Sequence, residues 1–220
     1  SNCDIKIVKL DFALSELDKF YEQEYSYPIV SLLWNTAEFV DKDGKNIKSF
    51  LREKQNEFFI KMNSFEKFKG NKHIWVNTDH LSKSKGLIRL LENSNGFNDD
   101  EEKIANTVKK ILIKNILTFK KQNLIEVEDI LEDIGAIVYE LTKNTFEWGR
   151  TDSNSVEIPS SVRGAYLRFH INKKEKIIEE YKGTPIATFF NHQRIEREYL
   201  NHLKRVYYLE IVVFDSGVGF

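Results

Sequence analysis

Three polar side chains that share one helical face are the first sign of chemistry in this 220-residue sequence. In the stretch YELTKNTFEWG, Glu140, Asn144 and Glu147 stand at i, i+4 and i+7, so they line one side of a helix. Ile134, Ile137 and Leu141 supply an adjacent apolar face. The spacing therefore predicts a carboxylate and a carboxamide beside a core-facing stripe, where an unpaired polar group is costly. A capping or surface role accounts for them equally well. The second feature is YYLEIVVFDSGVGF, Tyr207 to Phe220. Leu209, Ile211 and Val213 alternate as in a strand, and Asp215 stands where the strand runs out. Gly217 and Gly219 then free the backbone to turn, or to let a ligand approach closely. Read alone, this is also an ordinary turn.

The elements that must position these residues follow from periodicity. A helix is expected over Glu126 to Gly149, carrying the three polar positions. Before it, NDDEEKIANTVKKILIKNILTFKKQN has a capping Asn98, acidic residues Asp99 to Glu102 on its first turn and Lys120 and Lys121 at its end. Ile104, Val108, Ile111, Leu112 and Phe119 form its apolar face. Downstream come a polar loop from Thr151 to Val162, the strand AYLRFHI, a charged segment, a helix near NHQRIEREYLNHLK and the closing strand.

The first part of the chain is mixed. Leu14, Leu17 and Tyr21 are spaced as in a helix, and YSYPIVSLLW reads as a strand or a buried helical turn. Ile47, Phe50, Leu51, Phe58, Met62 and Phe65 form a broad helical stripe of core type. HIWVNTD is a short strand, and LSKSKGLIRLLENSNG a helix closing at Gly96. The expected boundary is the loop Asn93 to Asp100, dividing residues 1–97 from residues 98–220.

A helix bearing Glu-x-x-x-Asn, followed by strands and then by a strand running into Asp-x-Gly-x-Gly, resembles the GHKL ATPase superfamily of gyrase-type topoisomerases, Hsp90, MutL and histidine-kinase ATP-binding domains. ELTKN looks like its N box and DSGVGF like its first glycine box, and the resemblance spans roughly Asn98 to Phe220. It implies a Bergerat-type α/β sandwich, a mixed sheet with helices on one face, and Mg-ATP as the ligand. Asp215 would then accept from the adenine 6-amino group. Gly217 and Gly219 would let the backbone lie against the nucleotide and hinge the covering loop. Asn144 would offer its carboxamide oxygen to Mg²⁺. Glu140 would orient and deprotonate the attacking nucleophile. Glu147 matches an acidic position of the hydrolase branch, with no role assigned.

The sequence departs from that family in two ways. The usual short connection before the glycine box is replaced by residues 172–205, with His192 and His202 not spaced as a metal pair. The Gly-rich lid and last strand would follow Phe220, so the sequence reads as a piece of a longer protein. An opening Ser-Asn without Met agrees with that.

The Glu at position 140 favours ATP hydrolases and anti-sigma serine/threonine kinases over histidine kinases. His73 and His80 lack the context of a phosphoacceptor. Three readings stay open: an ATP-driven switch whose lid closure drives dimerisation or engagement of a protein partner, a protein kinase of the anti-sigma type, and a non-catalytic interaction module. Release of free phosphate without a protein partner separates the first two.

Composition narrows the field further. The formal net charge is -1, without the basic excess of a dedicated nucleic-acid binder. Cys3 is the only cysteine, which excludes an intrachain disulfide and suggests a reducing, cytoplasmic setting. No apolar run is long enough to span a bilayer, and no signal peptide is visible. P-loop and Gly-x-Ser-x-Gly motifs are absent. Trp34, Trp75 and Trp148 read as core residues, and residues 1–97 carry no recognisable motif.

Overall fold

The computed structural model describes residues 5–117, 128–192 and 205–217. In chain order it contains β1 (Ile7–Lys9), a 3-10 turn, α1 (Leu17–Tyr21), α2 (Ser26–Leu32), β2 (Glu38–Val40), α3 (Lys48–Asn63), β3 (Lys72–Thr78) and α4 (Lys83–Gly86). The hairpin β4 (Glu92–Asn93) and β5 (Gly96–Phe97) leads into α5 (Glu101–Ile111), whose last residue runs into a π-helical turn over Leu112–Ile116. There follow α6 (Glu128–Trp148), β6 (Val162–Lys173), α7 (Lys174–Glu180), α8 (Pro185–His192) and β7 (Arg205–Asp215). The class is mixed α/β. No helix among the described residues is long and apolar enough to cross a membrane.

Local chemistry explains most of these elements. YSYPIVSLLW resolves as helix, because Pro28 falls in the first turn of α2, where its missing N–H has no intrahelical partner to lose. The helix α5 starts later than expected: Asp100, not Asn98, is the cap, its side chain accepting from Lys103 N at 3.0 Å. Ile104, Val108 and Ile111 face inward as the periodicity predicts. The helix expected to close at Gly96 is a correction. Only Lys83–Gly86 is helical there, and Gly96 instead opens β5 opposite Asn93, just after the hairpin turn, at φ 128°. The expected helix near residues 191–204 falls mostly outside the described residues, as do His202, Phe119, Lys120 and Lys121.

The principal sheet has the order β3-β6-β7. Its described strands pair antiparallel throughout, where a mixed sheet was expected. One register line crosses all three strands, with Asn77 opposite Arg163 and Arg163 opposite Asp215. Helical segments lie on both faces rather than one. The end of α6 meets the face that bears Asp215. The α1–α2 connection meets the other, where Glu24 accepts from the Tyr166 hydroxyl at 2.9 Å and from Lys72 at 3.1 Å. Strand β3 comes from before the expected boundary at Asn93 to Asp100, and β6 and β7 from after it. One core joins Tyr27, Met62 and Trp75 to Ile104, Val138 and Leu167. A smaller core of Leu17, Val30, Phe39, Ile47 and Leu51 lies beside the parallel pair β1–β2. In the segment 172–205, α7 and α8 close over Ile177, Phe190 and Val206.

Candidate functional site

The helix α6 is built with two unlike sides. Leu131, Val138, Tyr139, Thr142, Thr145 and Gly149 point inward at helical spacing. The two threonines tolerate burial because their hydroxyls donate to carbonyls of their own helix, Thr142 to Val138 O at 2.7 Å and Thr145 to Thr142 O at 2.8 Å. Of the expected core stripe, Ile134 packs against the core, but Ile137 is 50% and Leu141 39% exposed. Trp148, expected in the core, is 62% exposed, whereas Trp75 is fully buried.

Glu140, Asn144 and Glu147 therefore stand on the open side of the helix, not half-buried beside the core. Among the described residues the side chain of neither Glu140 nor Asn144 takes part in a hydrogen bond or ion pair. Both are free to meet a ligand, and Asn144 presents a neutral carboxamide of the kind that suits Mg²⁺ alongside phosphate oxygens. No group of three or more His, Cys, Asp or Glu gathers as a metal site among the described residues. A cation here would depend on Asn144 and on oxygens brought by the ligand.

The glycine turn after β7 comes to the end of this same helix. A Cβ on Gly149 would lie 2.5 Å from Asp215 Cβ and 2.6 Å from its Cγ. A Cβ on Gly217 would lie 2.9 Å from Gly149 Cα. Backbone at the helix end and backbone at the turn thus approach as only glycine permits. Asp215 Oδ1 accepts from Gly217 N at 2.9 Å, which orients the carboxylate and leaves Oδ2 without a partner among the described residues. Val162 N donates to Ser216 Oγ at 2.9 Å, tying the turn to the start of β6. Gly219 lies outside the described residues.

Beneath the turn is a buried ion network that sequence reasoning missed. Arg163, 1% exposed, donates to Asp79 through both terminal nitrogens at 2.8 and 2.9 Å, and to Glu92 through Nε at 2.8 Å and through Nη2. Arg150, the residue after Gly149, donates from Nε to Asp79 Oδ2 at 3.1 Å. Asn77 completes the set, giving its amide to Glu92 Oε1 at 2.7 Å and accepting from Ile88 N at 2.6 Å. The Phe146 ring lies 4.7 Å from the Arg150 guanidinium and 5.6 Å from that of Arg163.

The two carboxylates respond oppositely. Burial pushes both upward, but Asp79 touches two guanidinium groups, whose hydrogen bonds and charge hold it below the ordinary carboxylate range. Glu92 is deeper and meets one guanidinium, so burial prevails and its pKa is raised. A cavity of about 690 Å³ opens beside this network, lined by Asp79, Glu92, Phe146 and Arg150 among others. It is not lined by Glu140, Asn144 or Asp215, since Phe146 projects from the opposite side of the helix to Asn144. No sequence pattern singled out Arg163, which shares β6 with Arg168, His170, Asn172 and Lys173.

Searches against protein-family models, curated proteins and solved structures find nothing that matches this chain.

Proposed function

We propose that this protein is an Mg-ATP-binding domain of GHKL type, acting in the cytoplasm as an ATP-driven conformational or dimerisation switch. The observation that carries the proposal is the packing of Gly149 and Gly217 on Asp215. It brings the glycine turn against the last turn of the helix that presents Glu140 and Asn144 to solvent. Two segments far apart in sequence thereby meet at the end of one helix. Asp215 Oδ2 is an acceptor of the kind that takes an exocyclic adenine N–H. Asn144 would hold Mg²⁺, and Glu140, one turn earlier, would receive the proton of the attacking water. Mg-ATP would supply the phosphoryl group.

The test is calorimetric titration of Mg-ATP into a polypeptide that carries a lid segment after Phe220. Saturable binding is expected, abolished by Asp215→Asn and retained in Glu140→Ala, which no longer releases phosphate. Turnover that survives Glu140→Ala removes Glu140 as the base. Binding that survives Asp215→Asn removes the nucleotide reading.

A further inference from the structure

One face of α3 runs along two depressions that lie away from α6. Arg52, Asn56, Phe59, Ile60 and Asn63 recur at helical spacing along that face. The first depression, of about 200 Å³, lies between α2, α3 and the segment leading into α4, and Tyr27, Trp34 and Leu81 wall it. The second, of about 560 Å³, lies between α3, α5 and the segment after α4, with Phe65 and Leu90 beside it. Phe59 lines both, so they form one groove. Its walls are tied together. Gln55 joins α3 to α2, its amide nitrogen donating to Tyr27 O at 3.2 Å and to Ser31 Oγ at 3.1 Å. Asn63 joins α3 to the other wall, its Oδ1 accepting from Arg89 N at 3.3 Å.

The rim carries one sign of charge. Arg52 and Lys85 line the first depression, Arg89 and Lys103 the second. All four are exposed, none is in an ion pair among the described residues, and no Asp or Glu lines either depression. The formal charge of the whole chain is -1, so this excess of cations is local. Unpaired cations around an apolar floor favour an anionic partner that also has apolar side chains. The floor does not suit nucleic acid, because its rings offer little open face for base stacking. Tyr27 is 1% and Phe59 9% exposed, and Lys48 Nζ lies over the Trp34 ring at 5.2 Å. Ile60, 56% exposed, supplies open aliphatic surface instead.

Dimensions restrict the partner further. From Arg52 to Asn63 the helix rises about 17 Å, the length of five or six residues of extended chain. The α3 residues lining the two depressions are centred about six positions apart, or about 9 Å, close to the i to i+3 distance of an extended peptide. A cavity of about 150 Å³ admits a benzene ring, so the first depression takes one aromatic side chain. We propose that this groove binds an extended acidic peptide segment of a protein partner. Apolar side chains at i and i+3 sit in the two depressions, and the carboxylates between and beside them pair with Arg52, Lys85, Arg89 and Lys103. The site is independent of the nucleotide reading.

Fluorescence anisotropy with labelled, end-capped octapeptides tests it. The peptide DEFEDLDE, whose Phe and Leu stand three positions apart, binds saturably with a Kd of about 100 μM or tighter. The peptide DEAEDADE keeps every charge but lacks both apolar anchors, and binds roughly tenfold more weakly or worse. The uncharged QNFQNLNQ is weaker by a similar factor. Arg52→Glu with Lys85→Glu weakens binding of DEFEDLDE about tenfold or more, and so does Arg89→Glu with Lys103→Glu. These positions are exposed and unpaired, so the melting temperature is unchanged. Ile60→Glu also weakens binding, whereas Asp215→Asn leaves it unaltered and octathymidylate does not displace the peptide. The proposal is overturned by no saturable binding of DEFEDLDE, by equal binding of either control peptide, or by displacement with octathymidylate. Affinity that survives either charge-reversal pair or Ile60→Glu, or that is lost in Asp215→Asn, overturns it as well.

Discussion

The two sides of α6 treat polar groups in opposite ways. On the inner side, Thr142 and Thr145 are satisfied within the helix, and just beyond its end Arg150 joins Arg163, Asp79 and Glu92 in a network where every charge has a partner. On the outer side, Glu140 and Asn144 stand in solvent with no partner among the described residues. Burial forces the first arrangement, because an unpaired charge in the interior is costly. Nothing forces the second, and groups left uncommitted on a rigid element are the ones free to serve a ligand. The inner set should therefore govern stability, and the outer set binding and turnover.

The largest effect tests the inner set. Arg163→Met leaves Glu92 buried with Asn77 alone, and unfolding stability falls by about 3–5 kcal/mol in chemical denaturation. With the guanidinium gone, the folded pKa of Glu92 rises further above its unfolded value. The loss is therefore greatest at neutral pH and shrinks as the pH falls and Glu92 takes up a proton. A loss that does not vary with pH would show that Glu92 is not the group left stranded.

Gly149→Ala tests the junction between the two sides. The added methyl must displace Asp215, at a cost of about 1–3 kcal/mol. On the proposed nucleotide reading it also weakens Mg-ATP binding by a polypeptide that carries a lid segment, which an ordinary helix-end substitution would not do.

A third prediction concerns acid stability. His73 is fully buried; its Nδ1 donates to Glu66 O at 3.2 Å, and Nε2 has no partner among the described residues. Burial pushes its pKa down to about 4. The unfolded chain binds this proton near pH 6.5, so the stability that a neutral His73 provides is intact above that pH and is lost as the pH falls toward 4. Denaturation midpoints should show a loss of about 2 kcal/mol between pH 7 and pH 5 from this residue. His73→Phe should flatten that part of the profile.

The smallest stability effect belongs to the outer set. Glu140→Ala and Asn144→Ala should each shift unfolding stability by no more than about 0.5 kcal/mol. A larger loss from either would erase the contrast between the two sides.

The sequence by itself determined the helix Glu128–Trp148, the strand ending at Asp215 and the inward face of α5, because each rests on local periodicity that 3.6- or 2-residue geometry converts directly into a face. Composition was equally direct in excluding an intrachain disulfide. Which face of α6 enters the core was not legible. Ile137 and Leu141 are the more apolar choice, yet Thr142 and Thr145 go inside because they satisfy their own hydroxyls and are small enough for close packing. Gly149 read as no more than a helix end until the fold brought Asp215 against it. Arg163 with Asp79 and Glu92, and Gln55 with Tyr27 and Ser31, unite residues from separate elements. Only tertiary structure decided those pairings, since a long-range partner is chosen by which buried charges and amides the folded chain brings within hydrogen-bonding distance.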